Sequence, residues 1–339
     1  MAIGFVGCGL IARYHAQNLV NLTGDLKVDI GSVFDIDSSR ALAFASDFKA
    51  RTVASSAQDV IANCDAVYVC TWTSAHPEIV ALAAEAGRGV FCEKPLAVDY
   101  ETALTMAEMA AGVPNQVGLV LRNSPAFRWL AHRVTAGDTG SVMNIVFRDD
   151  QYLPTQGLYG STWRADKAKA GAGTLLEHSI HDLDLLRWMM GPIDTVSAIS
   201  FEHHELDGIE DSITVTLQAA SGAQASLVSV WHEVLSRPSQ RRVEVFCRDA
   251  VLTVAGDWDG PCEAQFTDST EGPFEAQELA DLAIALDGQH RNPDGAFVAA
   301  IQAGITPSPS FQTAVDAHAL ADAAYRSAAQ GGVPIVPRC

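Results

Sequence analysis

The sequence predicts an α/β protein of two domains, with a parallel sheet in the first domain and a mainly antiparallel, open-faced sheet in a second, α+β domain. The chain has 339 residues, which corresponds to two domains at about 100 to 200 residues each. Up to about residue 121, short β-branched runs alternate with helical patterns, as in a doubly wound unit. Later strands alternate apolar and polar residues. The predicted domains are therefore residues 1–121 and 122–339.

The first domain is predicted from its alternation of strands and helices. Each helical stretch carries apolar residues at i, i+3 and i+4 spacing. The strands are placed at Ala2–Val6, Val28–Phe34, Asp65–Thr71, Gly89–Cys92 and Asn115–Leu121. The helices are placed at about residues 10–21, 38–48, 76–87 and 99–111.

The second domain is predicted to mix helices with half-buried strands. Ser212–Leu217 has apolar residues on one face and hydroxyls on the other, and Ser221-Gly222 predicts a hairpin turn after it. Further strands are placed at Ala225–Trp231, Arg242–Phe246 and Val251–Val254. The helices are placed at Pro125–Ala136, Leu175–Met190, Ala276–Leu286, Ala296–Ala303 and Ser310–Ala329, with a long loop at Leu153–Gly173.

The composition favours a folded protein without nucleic-acid or membrane partners. Apolar residues make up 48% of the chain and charged residues 19%, which is enough to build a core. Lys plus Arg number 22 against 41 Asp plus Glu, so the net charge is −19. This charge repels phosphate backbones and anionic lipid. Any anionic group bound here therefore needs a local positive feature.

Cysteine usage and the start of the chain predict a cytoplasmic protein. The seven cysteines form no C-x-x-C pair, so we expect reduced thiols. No basic segment precedes the first apolar run, so no signal peptide is expected. No uncharged apolar run reaches the roughly 18 residues of a membrane span.

A G-x-G-x-x-A motif at residues 7–12 follows an apolar strand and opens a helix. Gly7 permits the tight turn, Gly9 lets a pyrophosphate approach the backbone, and Ala12 lets the helix pack closely on the sheet. The helix N-terminus supplies the positive feature. A turn without a ligand is the alternative, but the context predicts a Rossmann dinucleotide-binding domain.

Asp35 ends the second strand, where a carboxylate accepts hydrogen bonds from the adenosine ribose hydroxyls and repels a 2′-phosphate. We therefore predict NAD in preference to NADP. Arg40 and Ser38 lie nearby in sequence and could soften this preference. The alternative is that Asp35 caps the following turn.

Five segments in order resemble one family, the Gfo/Idh/MocA oxidoreductases, named for glucose-fructose oxidoreductase and inositol dehydrogenase. They are Gly7–Ala12, Thr71–His76, Glu93–Pro95, Trp163–Arg164 and Gly171–Asp184. The resemblance covers nearly the whole chain. It implies NAD(P)-dependent hydride transfer between nicotinamide and a secondary alcohol or ketone of a sugar, cyclitol or related polyol.

Lys94 follows an apolar strand, at the sheet edge where open α/β sheets bind ligands. From the residues alone, a surface lysine is equally consistent. The resemblance implies that Lys94 hydrogen-bonds the reacting oxygen and that the peptide bond before Pro95 is often cis. A fixed ammonium there would stabilise the developing alkoxide.

Glu177, His181 and Asp184 share one face of the predicted helix. A histidine between two carboxylates suits a general base near neutral pH. The resemblance implies that His181 is the catalytic histidine and that Glu177, more often Asp in the family, contacts substrate hydroxyls. His178 is a second candidate substrate contact, and a purely structural role is the alternative for His178 and Asp184.

The resemblance also implies the remaining site residues. Trp72 and Asn123 depart from the family's T-P-N and R-F-x-P patterns. The predicted cofactor-binding residues are Gly7, Gly9, Leu10, Ile11, Asp35, Arg40, Thr71, Trp72, Thr73, His76, Glu93, Lys94, Arg122, Trp163 and Arg164. The predicted substrate-binding residues are Lys94, Trp163, Glu177, His178 and His181.

Two functions are therefore weighed. The first is an NAD-dependent oxidoreductase in which Lys94 polarises the oxygen and His181 moves the proton; the alternative is a non-catalytic dinucleotide sensor of the same fold. The presence of both residues favours the enzyme. Histidines such as His178 and His203 could ligate a metal, but their spacing is not typical of zinc sites. We therefore expect no metal site. The open sheet predicts a homo-oligomer, either a dimer or a tetramer.

Overall fold

The structure is a computed structural model that describes residues 1–287 and 292–338. Its Cα positions form two compact units, one of Met1–Leu119 with Asn292–Val315 and one of the described parts of Val120–Arg291 and Asp316–Cys339. The predicted domain boundary at residues 121 and 122 stays a prediction. The compact units differ from it in two respects: the first segment ends at Leu119, and Asn292–Val315 belongs with it.

The strands of the described chain form two sheets. In chain order they are β1 Ala2–Val6, β2 Asp29–Phe34, β3 Thr52–Val53, β4 Ala66–Val69, β5 Gly89–Cys92, β6 Asn115–Val117, β7 Val142–Tyr152, β8 Ile193–Phe201, β9 Ser212–Ala219, β10 Gln224–His232, β11 Gln240–Cys247, β12 Ala250–Ala255, β13 Cys262–Phe266 and β14 Thr270–Phe274.

The helices alternate with the strands in the first part of the chain. In chain order they are α1 Leu10–Val20, α2 Ser38–Phe48, α3 Ala57–Ala62, α4 His76–Glu85, α5 Tyr100–Met109, α6 Pro125–Ala136, α7 Lys167–Ala170, α8 Thr174–Glu177, α9 Ile180–Met190, α10 Ala276–Asp287, α11 Pro293–Ala303 and α12 Phe311–Ala329. Short 3₁₀ turns lie at Gly24–Leu26, Thr73–Ala75, Val120–Asn123 and Thr162–Ala165.

The first unit contains the predicted parallel sheet. Its strand order is β3-β2-β1-β4-β5-β6 and every pairing in it is parallel. The strand order reverses direction on either side of β1, which is the topological switch point where such sheets bind ligands at their carboxyl ends. The predicted dinucleotide-binding fold class is confirmed.

Asn292–Val315 joins the first unit through apolar packing. The Phe297 ring is fully buried against Tyr68 and Phe91, with ring centroids 5.7 and 5.6 Å away. The N–H of Val117 donates to the carbonyl of Pro309 at 2.9 Å, so this segment also takes up a free edge of β6. The sequence did not predict this packing, because Asn292–Val315 is remote in the chain from Met1–Leu119.

The second unit contains an eight-stranded sheet in the order β14-β13-β12-β11-β7-β10-β9-β8. Only the β7–β10 pairing is parallel among these strands, so the predicted mainly antiparallel sheet is confirmed. The predicted hairpin joins β9 to β10 at Ser221-Gly222, where Gly222 has a φ of 89°. One face of the sheet is buried and the other carries exposed side chains.

Three sequence predictions need correction. The strand predicted to reach Leu121 ends at Val117, because its neighbour β5 ends at Cys92 and the last bond runs from Gly118 N to Cys92 O. The helix predicted at Leu175–Met190 is two helices, α8 and α9. The chain also contains elements that were not predicted: β3, α3, β7, β8, β13 and β14, and the short α7 within the predicted loop.

We expect Phe297→Ala to lower the free energy of unfolding by about 3 to 5 kcal/mol, because it removes a fully buried ring and leaves a cavity. Urea denaturation measures the change. Leu42→Ala is the control, because that side chain is 60% exposed, and it should change the value by about 0.5 kcal/mol or less. Equal effects of the two substitutions would contradict the packing of α11 in the first unit.

Candidate active site

The glycine turn after β1 is held at one conformation by close backbone contacts. Gly7 N donates to Phe34 O at 2.8 Å, and Gly7 has a φ of +89°. A Cβ on Gly7 would lie 2.4 Å from Cys70 O, so only glycine fits. A Cβ on Gly9 would instead meet no atom within 4 Å. Gly7 is therefore required by the protein itself, whereas Gly9 leaves open space.

The first turn of α1 has the features of an anion site. Gly9 is its N-cap, and within the described residues no side chain accepts a hydrogen bond from that turn. The turn carries no acidic residue. Leu10 and Ile11 are 54% and 39% exposed. The free N–H groups and the helix dipole fit the pyrophosphate of a dinucleotide.

Asp35 connects the end of β2 to the glycine turn. Its carboxylate accepts from Cys8 N at 2.8 Å and from Asp37 N at 2.9 Å. The turn-capping role is therefore present beside the predicted ribose role. Arg40 Nη1 lies 3.6 Å from Asp35 and its Nη2 lies 3.7 Å from Asp37. This guanidinium is thus partnered by two carboxylates.

Thr71, Trp72 and Thr73 lie one residue beyond β4, at the carboxyl edge of the sheet. Thr73 is buried, and Trp72 is the N-cap of the short turn that follows. His76 is also buried, with its ring nitrogens 3.2 Å from Leu96 O and 3.3 Å from Thr71 O. Burial lowers the pKa of His76. The ring links two loops at this edge, which is a structural task beside the predicted cofactor contact.

Glu93 and Lys94 follow β5 at the same edge. Glu93 is buried, and its carboxylate accepts from Lys94 N at 3.1 Å. Lys94 is half-buried. The Lys94–Pro95 peptide bond is cis, as the family resemblance implied. The other oxygen of Glu93 lies 2.7 Å from His15, a residue that sequence reasoning did not single out.

Trp163, Arg164 and Glu177 come together in the second unit. Arg164 Nε donates to Glu177 Oε1 at 2.6 Å, and its guanidinium lies over the Trp163 ring, 4.7 Å from the centroid. Glu177 is almost fully buried. A guanidinium held by both partners sets the direction of this carboxylate.

The break between α8 and α9 separates Glu177 from His181. Ser179 N donates back to Thr174 O, and Ser179 Oγ lies 2.6 Å from both Asp149 Oδ2 and Ser229 Oγ. These contacts draw the chain off a continuous helical path. The prediction that Glu177 and His181 share one face of a single helix is therefore wrong, although His181 remains buried near the start of α9.

Asp184 lies on α9 and forms a bidentate ion pair with Arg122. Arg122 Nε and Nη2 each donate to its carboxylate at 2.7 Å. Burial raises the pKa of Asp184, against the effect of Arg122. This pair gives Asp184 a structural role. The predicted contact of Arg122 with the cofactor stays a prediction.

His178 belongs to a buried network that the sequence did not indicate. Its Nε2 lies 3.1 Å from Asp149 Oδ1. Arg241 donates to Asp182 at 2.6 Å and to Asp149 at 3.2 Å. Burial opposes the charge on Asp149, but Arg241 and then His178 hold its pKa below the ordinary value, whereas burial raises the pKa of Asp182. These contacts favour the structural alternative for His178.

The structure thus gathers the predicted residues into two sets. The first unit holds Gly7, Gly9, Leu10, Ile11, Asp35, Arg40, Thr71, Trp72, Thr73, His76, Glu93 and Lys94. The second unit holds Arg122, Trp163, Arg164, Glu177, His178 and His181. Over residues 1–287 and 292–338, no three His, Cys, Asp or Glu side chains are grouped so as to hold a metal ion.

This chain is similar to known proteins over nearly its whole length. A family model described as an oxidoreductase family with an NAD-binding Rossmann fold matches residues 1–120, and the GFO/IDH/MocA C-terminal domain matches residues 127–253. The myo-inositol dehydrogenase Hyg17 of Streptomyces leeuwenhoekii is 31% identical, covering 99% of this chain and 100% of its own. The chain belongs to the Gfo/Idh/MocA oxidoreductase family.

Other relatives agree with this assignment. The inositol 2-dehydrogenase of Rhizobium meliloti (strain 1021) is 28% identical, covering 96% of each chain. The structure of the WlbA dehydrogenase from Bordetella pertussis superimposes with a TM-score of 0.86 at 23% identity, covering 100% of this chain and 98% of that one. The predicted family, fold class and oxidoreductase function are confirmed.

We expect Gly9→Ala to weaken NAD binding by about 10-fold or more while the melting temperature stays unchanged, because the added methyl meets no protein atom and occupies the space left for pyrophosphate. Isothermal titration with NAD measures the affinity. Gly112→Ala is the matched control, since its Cβ also meets nothing within 4 Å. Unchanged affinity in Gly9→Ala would contradict the assignment of this turn.

Proposed function

We propose that this protein is an NAD-dependent dehydrogenase that oxidises a secondary alcohol of an uncharged cyclitol, sugar or related polyol, or catalyses the reverse reduction. The observation that carries the proposal is the full-length similarity to proteins named inositol dehydrogenases, together with Lys94 at the ligand-binding edge of the sheet. The net charge of −19 favours an uncharged substrate over a phosphorylated one.

In this mechanism Lys94 and His181 have different tasks. The Lys94 ammonium donates a hydrogen bond to the substrate oxygen and stabilises the negative charge that develops on it. His181 accepts the hydroxyl proton during oxidation and returns it during reduction. When bound, NAD supplies the hydride acceptor. Glu177, directed by Arg164, and Trp163 are proposed to contact the substrate.

The proposed binding of NAD uses the glycine turn and Asp35. The backbone of Gly9, Leu10 and Ile11 faces the pyrophosphate, and Asp35 accepts from the ribose hydroxyls. Preference for NAD over NADP is supported by the position of Arg40. Because Arg40 lies between Asp35 and Asp37, its charge is compensated and its attraction for a 2′-phosphate is weakened.

The exposed face of the second sheet supports a homo-oligomer, either a dimer or a tetramer. Large apolar side chains point away from the core on this face: Val146, Ile199 and Phe201 are 41%, 71% and 62% exposed. A sheet face with such side chains is typical of surfaces that pair with a copy.

A cytoplasmic location also stays a proposal. Six cysteines are free and buried in the described chain, which agrees with a reducing compartment, and Cys339 lies outside the described residues. In residues 1–287 and 292–338, none of the helices has the length and apolar character needed to cross a bilayer.

We expect Lys94→Ala and His181→Ala each to lower kcat with NAD and myo-inositol, or with the best alcohol of a cyclitol and sugar panel, by about 10²-fold or more. The rise in reduced-nicotinamide absorbance measures turnover. Exposed residues of the same types, changed in Lys27→Ala and His132→Ala, are the controls. Full activity in either site variant would contradict its role, and a protein that binds NAD but oxidises nothing in the panel would favour the sensor.

We expect Asp35→Ala to reduce the ratio of kcat/KM for NAD to that for NADP by about 10-fold or more, because the substitution removes the proposed ribose acceptor and one of the two carboxylates beside Arg40. Steady-state kinetics with both cofactors give the ratio. Asp25→Ala removes an exposed carboxylate from the same unit and should leave the ratio unchanged. An unchanged ratio in Asp35→Ala would contradict the proposed selectivity.

A further inference from the structure

A cluster of three ionisable side chains is buried inside the first unit. His15 Nδ1 lies 2.7 Å from Asp294 Oδ1, and His15 Nε2 lies 2.7 Å from Glu93 Oε1. The side chains of His15 and Asp294 are fully buried, and that of Glu93 is 9% exposed. Two ring nitrogens facing two carboxylates in an apolar interior require a specific reason, because an isolated buried charge is costly.

The surroundings of His15 hold its ring in one position. Its ring centroid lies 4.8 Å from that of Phe91 and 5.4 Å from that of Tyr68. The second oxygen of Asp294 accepts from Asn18 Nδ2 at 2.8 Å. Asn18 lies on α1, one turn after His15. The ring therefore has little freedom to rotate away from either carboxylate.

The cluster carries a positive charge between two negative ones. Burial alone would lower the pKa of His15, but Asp294 and then Glu93 outweigh it and raise the pKa to about 10. His15 is thus an imidazolium at neutral pH, and both of its N–H groups donate. The contacts to both carboxylates are charge-assisted hydrogen bonds.

Glu93 carries this arrangement to the backbone of Lys94. One carboxylate oxygen faces His15, and the other accepts from Lys94 N. The carboxylate also fits closely against Gly118, where a Cβ would lie 2.6 Å from Oε1. The Glu93 carboxylate is thus held at both oxygens and packed against the backbone of Gly118. Its position fixes the position of the Lys94 backbone N–H that donates to it.

We propose that His15 is a positioning residue for Lys94: held by Asp294, it fixes the Glu93 carboxylate that in turn holds the Lys94 backbone. This inference rests on the proposed function, in which the Lys94 ammonium polarises the substrate oxygen. His15 touches neither substrate nor cofactor in this role. It lies on α1, the helix that starts at the glycine turn, so one side chain ties the cofactor-binding helix to the lysine.

The first consequence is a graded loss of kcat. Glu93→Gln and His15→Gln should each lower kcat by about 10-fold, since a misplaced catalytic group costs up to about 10²-fold. Asp294→Asn keeps a hydrogen-bond partner for His15 and should cost less. KM for NAD should change by less than about 3-fold in His15→Gln and Asp294→Asn. A fall in NAD affinity with unchanged kcat would overturn the proposal.

A double-mutant cycle separates positioning from a merely structural role. If His15 acts through Lys94, adding His15→Gln to Lys94→Ala should lower kcat by less than about 2-fold, although it costs about 10-fold in the wild type. The same 10-fold loss in both backgrounds would overturn the inference. If Lys94→Ala itself retains full activity, the proposed function fails first, so the two failures are distinguishable.

His204→Gln is the matched control for the histidine substitution. His204 Nδ1 lies 2.6 Å from Asp211 in the other unit, and neither residue is assigned to the site. This substitution also removes a histidine–carboxylate contact, but kcat should stay within about 2-fold of the wild type. An equal loss of kcat in both variants would show a general effect of removing such contacts and would overturn the specific role.

The charge of His15 also gives a readout that needs no substrate. Its folded pKa of about 10 lies above the ordinary value of 6.5, so its stabilising effect is complete below pH 6.5 and is lost as pH rises through about 10. The facing groups are Asp294, Glu93 and Tyr68, and burial raises the pKa of Tyr68 well above 10. The gap in melting temperature between wild type and His15→Gln should therefore narrow from pH 7 to pH 10, and a constant gap would overturn the charged cluster.

Discussion

The close approach of Gly7 to the end of β4 is the constraint on which the cofactor side of the protein depends. Because only a glycine without Cβ fits beside Cys70 O, the turn can bring α1 onto the sheet with its first N–H groups directed outward. Asp35 then joins the turn to β2 through Cys8 N. One steric requirement therefore brings the helix end and the Asp35 carboxylate to the same edge.

In each unit, one cluster of buried carboxylates contains a cation. In the first unit His15 lies between Asp294 and Glu93. In the second unit Arg241 lies against Asp149 and Asp182. Removing one partner of such a cluster is costly, because it leaves an uncompensated charge in an apolar interior. These clusters specify side-chain positions more strictly than apolar packing does, since hydrogen bonds are directional.

Most of the first unit could be predicted from sequence because its signals are local. The glycine motif, the apolar strands and Lys94 after β5 each lie within a few residues of one another. β7 was missed because Arg148, Asp149 and Asp150 interrupt its apolar pattern. Two of these charges are tolerated within the strand through partners far away in sequence: Asp149 pairs with Arg241, and Asp150 with Arg237.

The sequence by itself determined the fold class, the dinucleotide-binding turn and the family, since periodicity and short motifs express backbone requirements at each position. Only the tertiary structure decided that Asp294 completes the His15 cluster and that Ser179 interrupts the helix carrying His181. Both depend on contacts between residues that are remote in the chain. Such contacts leave no periodic pattern in the sequence, because the partner is chosen by packing in three dimensions.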